Sequence, residues 1–309
     1  MKGPLFYAKI LLFGEYGIIK NSKGLSIPYN YYKGALRMDN NDSNEAIASN
    51  KKLKEYASYL SQVDADLVRF DFKKLTNDIA KGMYFDSSIP QGYGVGSSGA
   101  LVAAIYDRYA LEKITVLENL TRSKLSKLKS IFSEMESFFH GKSSGLDPLN
   151  SFLSLPILIN SKSDIEPTGI PSQSQHGKAA VFLLDSGMTG ETAPLVSIFL
   201  DNFEVPAFRK MMKDEFIAIS DRCIEHFLTG DISALFSDVK KLSSVVLHHF
   251  TPMIPKRFHS LWKKGLETNA YYLKLCGSGG GGYILGFTQD LPKAKALLSD
   301  HKLEVVYTF

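Results

Sequence analysis

Cysteine is scarce. The 309-residue chain has two, Cys223 and Cys276, far apart and without His or Cys neighbours at metal-ligand spacing. A disulfide scaffold and a Cys/His metal centre are excluded, and a reduced cytoplasmic setting is expected. Long apolar runs are missing as well: none approaches a membrane span, and the opening MKGPLFYAKILLFGEYG has no apolar core of secretory-signal length. A membrane is therefore not an expected partner. Blocks of one charge sign do not occur, since 36 Lys and Arg face 32 Asp and Glu for a formal charge of +4, so nucleic acid is not an expected partner either. No internal repeat or low-complexity tail is present.

The composition that remains, 44% hydrophobic and 22% charged over a length sufficient for two domains, is that of a soluble globular protein. LFYAKILLFGEYGII predicts a strand that turns near Gly14 and re-enters a second strand, and MDNNDSNEAIASNKKLKEYASYL a polar loop leading into a helix. The stretch from Ser97 to about Leu111, rich in small and large apolar residues, predicts a closely packed buried helix. Leu125, Leu128, Ile131, Phe132, Met135 and Phe139 recur at helical spacing, with Gly141 as the stop. The aperiodic NSKSDIEPTGIPSQSQHGKAA is the best domain boundary, and AAVFLLDSG after it is an apolar strand. Helical patterns from about Ala193 to Thr268 are broken near Gly230 and Pro252. They are followed by strands in YYLKLCG and YILGF, a helix in LPKAKALLSD and a strand in LEVVYTF, the order of a split β-α-β fold with inserted helices.

PQGYGVGSSGALVAA, from Pro90, sets Gly94, Gly96 and Gly99 in a G-x-G-x-x-G pattern. A dinucleotide fingerprint needs a buried strand before it and an acidic residue about 20 positions later. Here the polar DSSIPQGY precedes the glycines and one long helix follows. No Gly-Lys-Ser/Thr closes the loop, and the V-A-I-K, H-R-D and D-F-G set of protein kinases is absent. What is left is a glycine loop running into a helix that starts with Ser97 and Ser98. Backbone N–H groups, the helix N-terminus and two hydroxyls there suit a phosphate and its cation, although the same pattern also describes a Ser-capped helix start.

Asp147 in SGLDP is a turn aspartate before proline or a catalytic carboxylate; Lys9 reads from the sequence alone as a solvated strand lysine. Glu136 lies on the shoulder of the Phe132, Met135 and Phe139 stripe while Glu134 faces away with the lysines, and a half-tucked carboxylate is costly unless paired. His248 and His249 are adjacent in a helical stretch and cannot point the same way, which favours structural roles. CGSGGGG, between two strands, is too long for a tight hairpin.

Four stretches in fixed order, AKILLFGEYGII, PQGYGVGSSGALVAA, HGKSSGLDP and KLCGSGGGGYILGF, together resemble the GHMP kinase superfamily over nearly the whole chain. Within it the combination is most similar to the mevalonate kinases, with patterns near P-G-K-x-x-L-x-G-E-H, P-x-G-x-G-L-G-S-S-A-A, H-G-x-P-S-G-x-D and K-x-T-G-A-G-G-G-G. LLDSGMTGETAPLV adds a Gly-x-x-Gly-x-Thr made of Gly187, Gly190 and Thr192. The resemblance implies an α+β, two-domain GHMP kinase fold. A ribosomal-protein-S5-domain-2-like N-terminal domain over 1–172 would carry the phosphate loop and catalytic aspartate, and a ferredoxin-like C-terminal domain with inserted helices over 173–309 would close a cleft with it. It further implies Asp147 as the residue that orients or accepts the acceptor proton and Lys9 as the cation beside it. Ser98 and Glu136 are the implied Mg2+ ligands. Gly92, Gly94, Gly96, Ser97, Ser98, Gly99, Gly277, Ser278, Gly279 and Gly280 are implied ATP contacts, and Glu15, Tyr16, His140, Ser144, Gly145 and Thr192 implied acceptor contacts.

Departures from the pattern spare this charged set. Tyr7-Ala8 stands for Pro-Gly before the lysine, Tyr16 for His after Gly-Glu, Val95 and Gly99 for Leu and Ala, and Ser143 for Pro. The expected activity is ATP- and Mg2+-dependent phosphorylation of the primary hydroxyl of mevalonate to 5-phosphomevalonate, a step of isoprenoid biosynthesis. Phosphomevalonate kinase, another GHMP small-molecule kinase and a non-catalytic ligand-binding member are the alternatives. No added Lys or Arg cluster surrounds the motifs to hold a second phosphate, and retention of Lys9, Glu136 and Asp147 argues against a sensor. A homodimer is neither required nor excluded.

Overall fold

The computed structural model describes residues 4–38, 43–115 and 120–309. Among these, residues within 1–9, 28–90 and 96–155 form one compact unit, and those within 10–27, 91–95 and 156–309 a second. Strands β1 (Phe6–Phe13) and β2 (Gly24–Arg37) run through both ranges. The first unit continues with α1 (Asn44–Leu60), α2 (Phe72–Ala80), β3 (Tyr84–Ser87), α3 (Ser97–Tyr109), α4 (Arg122–His140) and α5 (Leu146–Leu153). Its helices follow their apolar spacing: Leu125, Leu128, Ile131, Phe132 and Met135 of α4 are all buried. Of the polar segment before α1, residues 39–42 lie outside the described residues.

Helix starts fall into two groups. Ser43, Asp71 and Thr121 cap α1, α2 and α4 through side-chain oxygens that accept backbone N–H groups. The helices α3 and α5 instead begin at Gly96 and Gly145, both left-handed and without a side-chain cap. These two helices carry the serine and aspartate singled out by sequence.

In the second unit β4 (Ile157–Ile159) and β5 (Ile165–Pro167) precede β6 (Ala180–Asp185). The helices α6 (Thr192–Glu204), α7 (Pro206–Met211), α8 (Ala218–Thr229), α9 (Ile232–His249) and α10 (His259–Thr268) follow, with a π-helical stretch over Met212–Ile217. The chain ends in β7 (Tyr272–Leu275), β8 (Tyr283–Thr288), α11 (Leu291–Leu297) and β9 (Leu303–Thr308). One sheet runs β1-β2-β4-β5 with β3 also paired to β2; the other runs β7-β8-β6-β9 and is antiparallel throughout. The second order is that of a ferredoxin-like split β-α-β sheet, with α6 to α10 inserted between its first two strands. Ala180 to Leu184 of β6 are 0% exposed, as its unbroken apolar run requires of a central strand.

Two local readings are corrected. The chain does not re-enter a strand directly after Gly14: Gly17–Lys20 form a 3-10 turn, and β2 starts only at Gly24. Tyr16 there has φ 59°, a left-handed value that breaks strand continuity at an aromatic residue. The stretch read as aperiodic at 160–180 contains β5, whose Ile165 pairs with Ile159 and whose Pro167 pairs with Ile157 of β4. Three residues are too few to leave a period-2 signature.

Candidate active site

Three helices of the first unit each deliver one side chain: Ser98 from α3, Glu136 from α4 and Asp147 from α5. Tyr106, Phe132 and Phe152, one from each helix, meet edge to face with ring centroids 5.0 to 5.5 Å apart and lock the three together. Gly99 completes the packing, because a Cβ there would lie 2.7 Å from the backbone carbon of Asp147 and 2.8 Å from the nitrogen of Pro148. The alanine of the family pattern does not fit in this chain, and glycine lets α3 approach α5 backbone to backbone. Ser151, one turn after Asp147, donates to the Tyr7 carbonyl of β1 at 2.8 Å and thereby ties α5 to the strand that carries Lys9.

Lys9 Nζ lies 2.9 Å from Asp147 Oδ1, with the lysine side chain 7% and the aspartate side chain 36% exposed. The pair sits at the start of α3: a Cβ on Gly96 would be 3.0 Å from Lys9 Cγ and 3.8 Å from Asp147 Oδ2. The first intrahelical bond of α3 runs from Ala100 N–H to the Gly96 carbonyl, so the N–H groups of Ser97, Ser98 and Gly99 precede it and point out of the helix end. Helix end, lysine and partly exposed carboxylate thus converge on one place.

Glu136 is 3% exposed, far more buried than a shoulder position suggests. Ser98 Oγ donates to its Oε1 at 2.9 Å and Ser143 Oγ donates to its Oε2. His140 Nε2 lies 3.0 Å from the same Ser98 Oγ. Burial foremost, then the charge of Asp147, raises the Glu136 carboxyl to about 7, against the opposing pull of the two serine hydroxyls and Lys9. A buried carboxylate that gives up its proton so reluctantly is one that a further cation would relieve.

These donors fit Mg2+. The ion takes hard oxygen ligands at 2.0–2.1 Å in octahedral array, which places adjacent ligands about 2.9 Å apart. Ser98 Oγ and Glu136 Oε1 are 2.9 Å apart. Among the described residues no group of three or more His, Cys, Asp or Glu is arranged to hold a metal by itself.

The second unit contains the other glycine cluster. Gly92 and Gly94 precede β7 and β8 in sequence by far, yet a Cβ on Gly94 would lie 2.7 Å from the Cys276 carbonyl, and Gly190 N–H donates to the Gly92 carbonyl at 3.1 Å. Gly280 N–H donates to the Met253 carbonyl at 2.6 Å, and Ser278 Oγ donates to Thr192 Oγ1 at 3.1 Å. Tyr16 donates its hydroxyl to the Ser278 carbonyl at 2.7 Å and packs its ring on Phe199 and Phe250. Burial, then Glu15, holds the Tyr16 phenol well above its usual range, so it acts as a hydrogen-bond donor. Glu15 is paired with Lys274, which also donates to the Leu275 carbonyl at 3.0 Å; the two side chains are 4% and 3% exposed.

That buried pair carries a stability consequence. Breaking a buried pair by removing one partner costs about 3–5 kcal/mol, whereas removing both together is often nearly neutral. Lys274→Met is expected to lower the urea-unfolding free energy by about 3 kcal/mol, and Glu15→Gln added to it should restore most of the loss. A double variant no more stable than Lys274→Met alone contradicts this.

Lys9, Gly96, Ser97, Ser98, Gly99, Glu136, His140 and Asp147 are brought together in the first unit, and Gly92, Gly94, Thr192, Gly277, Ser278, Gly279 and Gly280 in the second. Gly145 is turned onto α4, where a Cβ would meet the Lys129 carbonyl, and Ser144 Oγ accepts the Leu146 N–H at 3.4 Å. Sequence reading missed Ser143 and Lys274. A lysine inside the apolar strand YYLKLCG was the available signal for one; a serine where the related pattern has proline was the signal for the other.

Residues 59–154 match the family described as GHMP kinases N terminal domain. Among curated proteins none matches the sequence. Among solved structures, the L. major mevalonate kinase in complex with R-mevalonate aligns with TM-score 0.66 at 16% identity, covering 100% of this chain and 99% of that one. The Streptococcus pneumoniae phosphomevalonate kinase in complex with phosphomevalonate and AMPPNP aligns at 0.60 and 13%, covering 99% and 100%. The Methanococcus jannaschii mevalonate kinase aligns at 0.58 and 15%, covering 99% and 98%. Among the described residues no helix is long and apolar enough to cross a membrane. Residues 59–154 thus match a GHMP kinases N-terminal domain, and over its length the chain shares the fold of these mevalonate kinase structures.

Proposed function

We propose that this chain is a cytoplasmic, ATP- and Mg2+-dependent kinase that phosphorylates the primary hydroxyl of mevalonate to give 5-phosphomevalonate. The observation that carries the reading is the Lys9–Asp147 pair, 2.9 Å apart, beside the uncapped start of α3. Phosphoryl transfer asks mainly for positioning and charge stabilisation, and these groups supply both. Asp147 Oδ2 faces the start of α3, where it orients the acceptor hydroxyl and takes its proton as the new O–P bond forms and the bond from the γ-phosphorus to the bridging oxygen breaks. Lys9 balances the carboxylate and the charge building on the transferring group. The N–H groups of Ser97, Ser98 and Gly99 hold phosphate oxygens at the positive end of the helix. Ser98 Oγ and Glu136 Oε1 would hold Mg2+, which when bound neutralises charge on those oxygens. The glycines around Gly94 and Gly277 are the remaining proposed nucleotide contacts.

Support for ATP as donor comes from the S. pneumoniae neighbour, described with AMPPNP; support for the acceptor comes from the L. major neighbour, described with R-mevalonate. A second reading, phosphomevalonate as acceptor, is favoured by Tyr16 in place of the histidine of the mevalonate kinase pattern and by the first of these neighbours. An ADP-release assay across mevalonate, phosphomevalonate, homoserine and galactose tests both. Turnover is expected with mevalonate; selective turnover of phosphomevalonate reassigns the acceptor, and no ADP with any acceptor overturns the kinase.

A further inference from the structure

Ser143 occupies the position where the related H-G-x-P-S-G-x-D pattern has proline, and proline has no hydroxyl to donate. Here the hydroxyl is engaged on both sides. Its oxygen accepts the Gly145 N–H at 3.0 Å, and its proton goes to Glu136 Oε2. The backbone is anchored as well, since Ser133, one turn before Glu136 on α4, donates to the Ser143 carbonyl at 2.5 Å. Because Gly145 N–H takes up a lone pair of the hydroxyl, the proton is aimed away from that N–H and toward the carboxylate.

The two oxygens of Glu136 are therefore not equivalent. Oε2 is held by Ser143 from the turn that follows α4; Oε1 is shared with Ser98 at the front of α3. A buried carboxylate fixed at one oxygen cannot rotate about its last torsion without breaking that bond, so the other oxygen keeps one orientation. We infer that Ser143 is a positioning residue that locks the Glu136 carboxylate and presents Oε1, alongside Ser98 Oγ, to the divalent cation. The inference rests on the reading of Ser98 and Glu136 as the cation's ligands. It assigns to this chain a support that the proline of the related pattern does not supply, and outer-layer partners of this kind are typically worth 10- to 100-fold in metal affinity.

The test is direct binding of Mn2+ in the presence of AMPPNP, read by electron paramagnetic resonance on the full chain, without turnover. Ser143→Ala is expected to weaken Mn2+ binding about tenfold, and Ser143→Thr, which keeps the hydroxyl, to stay within about twofold of the native chain. Ser143→Pro gives a second hydroxyl-free variant should Ser143→Ala fail to fold, and the same tenfold loss is expected of it. In turnover, the Mg2+ concentration for half-maximal rate should rise by the same factor in the hydroxyl-free variants while KM for the acceptor stays put. Glu136→Gln separates the two levels. If it loses Mn2+ while the hydroxyl-free variants bind like the native chain, or if Ser143→Thr loses as much as Ser143→Ala, the role of the Ser143 hydroxyl is overturned and the ligand reading stands. If Glu136→Gln itself binds Mn2+ normally, the ligand reading falls and the inference with it.

Discussion

Replacing Asp147 by asparagine should lower turnover about a thousandfold while nucleotide affinity stays within about twofold of the native value. Asparagine keeps the shape and can still orient the acceptor, but it neither takes up a proton nor balances Lys9. Lys9→Met should fall in the same range, since Lys9 Nζ sits 2.9 Å from Asp147 Oδ1 and the two act as one unit. The double variant should then be little worse than either single one, because groups that act together are not additive. The division of the loss is informative: a fall in kcat with an unchanged nucleotide KM places both residues at the transferring group, whereas a shared rise in KM places them in ground-state binding. Steady-state ADP release at saturating ATP, with nucleotide affinity measured separately by calorimetry, resolves the two.

Glu136→Gln has opposite effects on binding and on stability. Without the carboxylate, Mn2+ binding with AMPPNP should weaken by at least tenfold and turnover should fall with it. In the metal-free protein the same change should be stabilising at neutral and higher pH. Burial raises the Glu136 carboxyl from its ordinary 4.5 to about 7, so over that interval the folded chain holds a proton that the unfolded chain has released. The folded state is favoured fully below about 4.5 and loses that advantage as pH rises to about 7. Glutamine carries no such penalty, and the stability of the variant relative to the native chain should climb across this window by something on the order of 2 kcal/mol. Urea unfolding in EDTA at pH 5 and pH 8 checks it; a difference between the two proteins that does not change with pH would remove the buried carboxylate as its source.

The parts of this site that were legible in sequence are those governed by spacing. The apolar period of α4 announced a helix with Glu136 near its buried face, and the glycine loop before Ser97 announced a helix start. The order of the glycine-rich motifs carried the superfamily resemblance. What could not be read is fixed by contacts distant in sequence. Nothing near Glu136 says that Ser143 folds back across Gly141 to hold its second oxygen, nor that Gly99 is needed because the backbone of α5 passes 2.7 Å from where a Cβ would be. Lys274, which pairs with Glu15, comes from a strand near the end of the chain. Strand β2 was hidden by its own composition: GLSIPYNYYKGALR holds a proline, two glycines and several polar residues, and its burial alternates only in part. The left-handed Tyr16 defeated the simple expectation of a hairpin at Gly14, because backbone strain at an aromatic residue leaves no mark in sequence. The interleaving of residues 10–27 and 91–95 with the second unit is likewise a matter of packing rather than of local pattern.

The central claim is that Asp147, balanced by Lys9 at the front of α3, handles the acceptor proton during transfer of a phosphoryl group from ATP. Single-turnover transfer from γ-labelled ATP to mevalonate, with enzyme in excess and nucleotide occupancy matched, measures that step alone. The native chain should move the label to the alcohol, and Asp147→Asn should do so about a thousandfold more slowly at equal occupancy. Equal rates of transfer by the two proteins would contradict the claim.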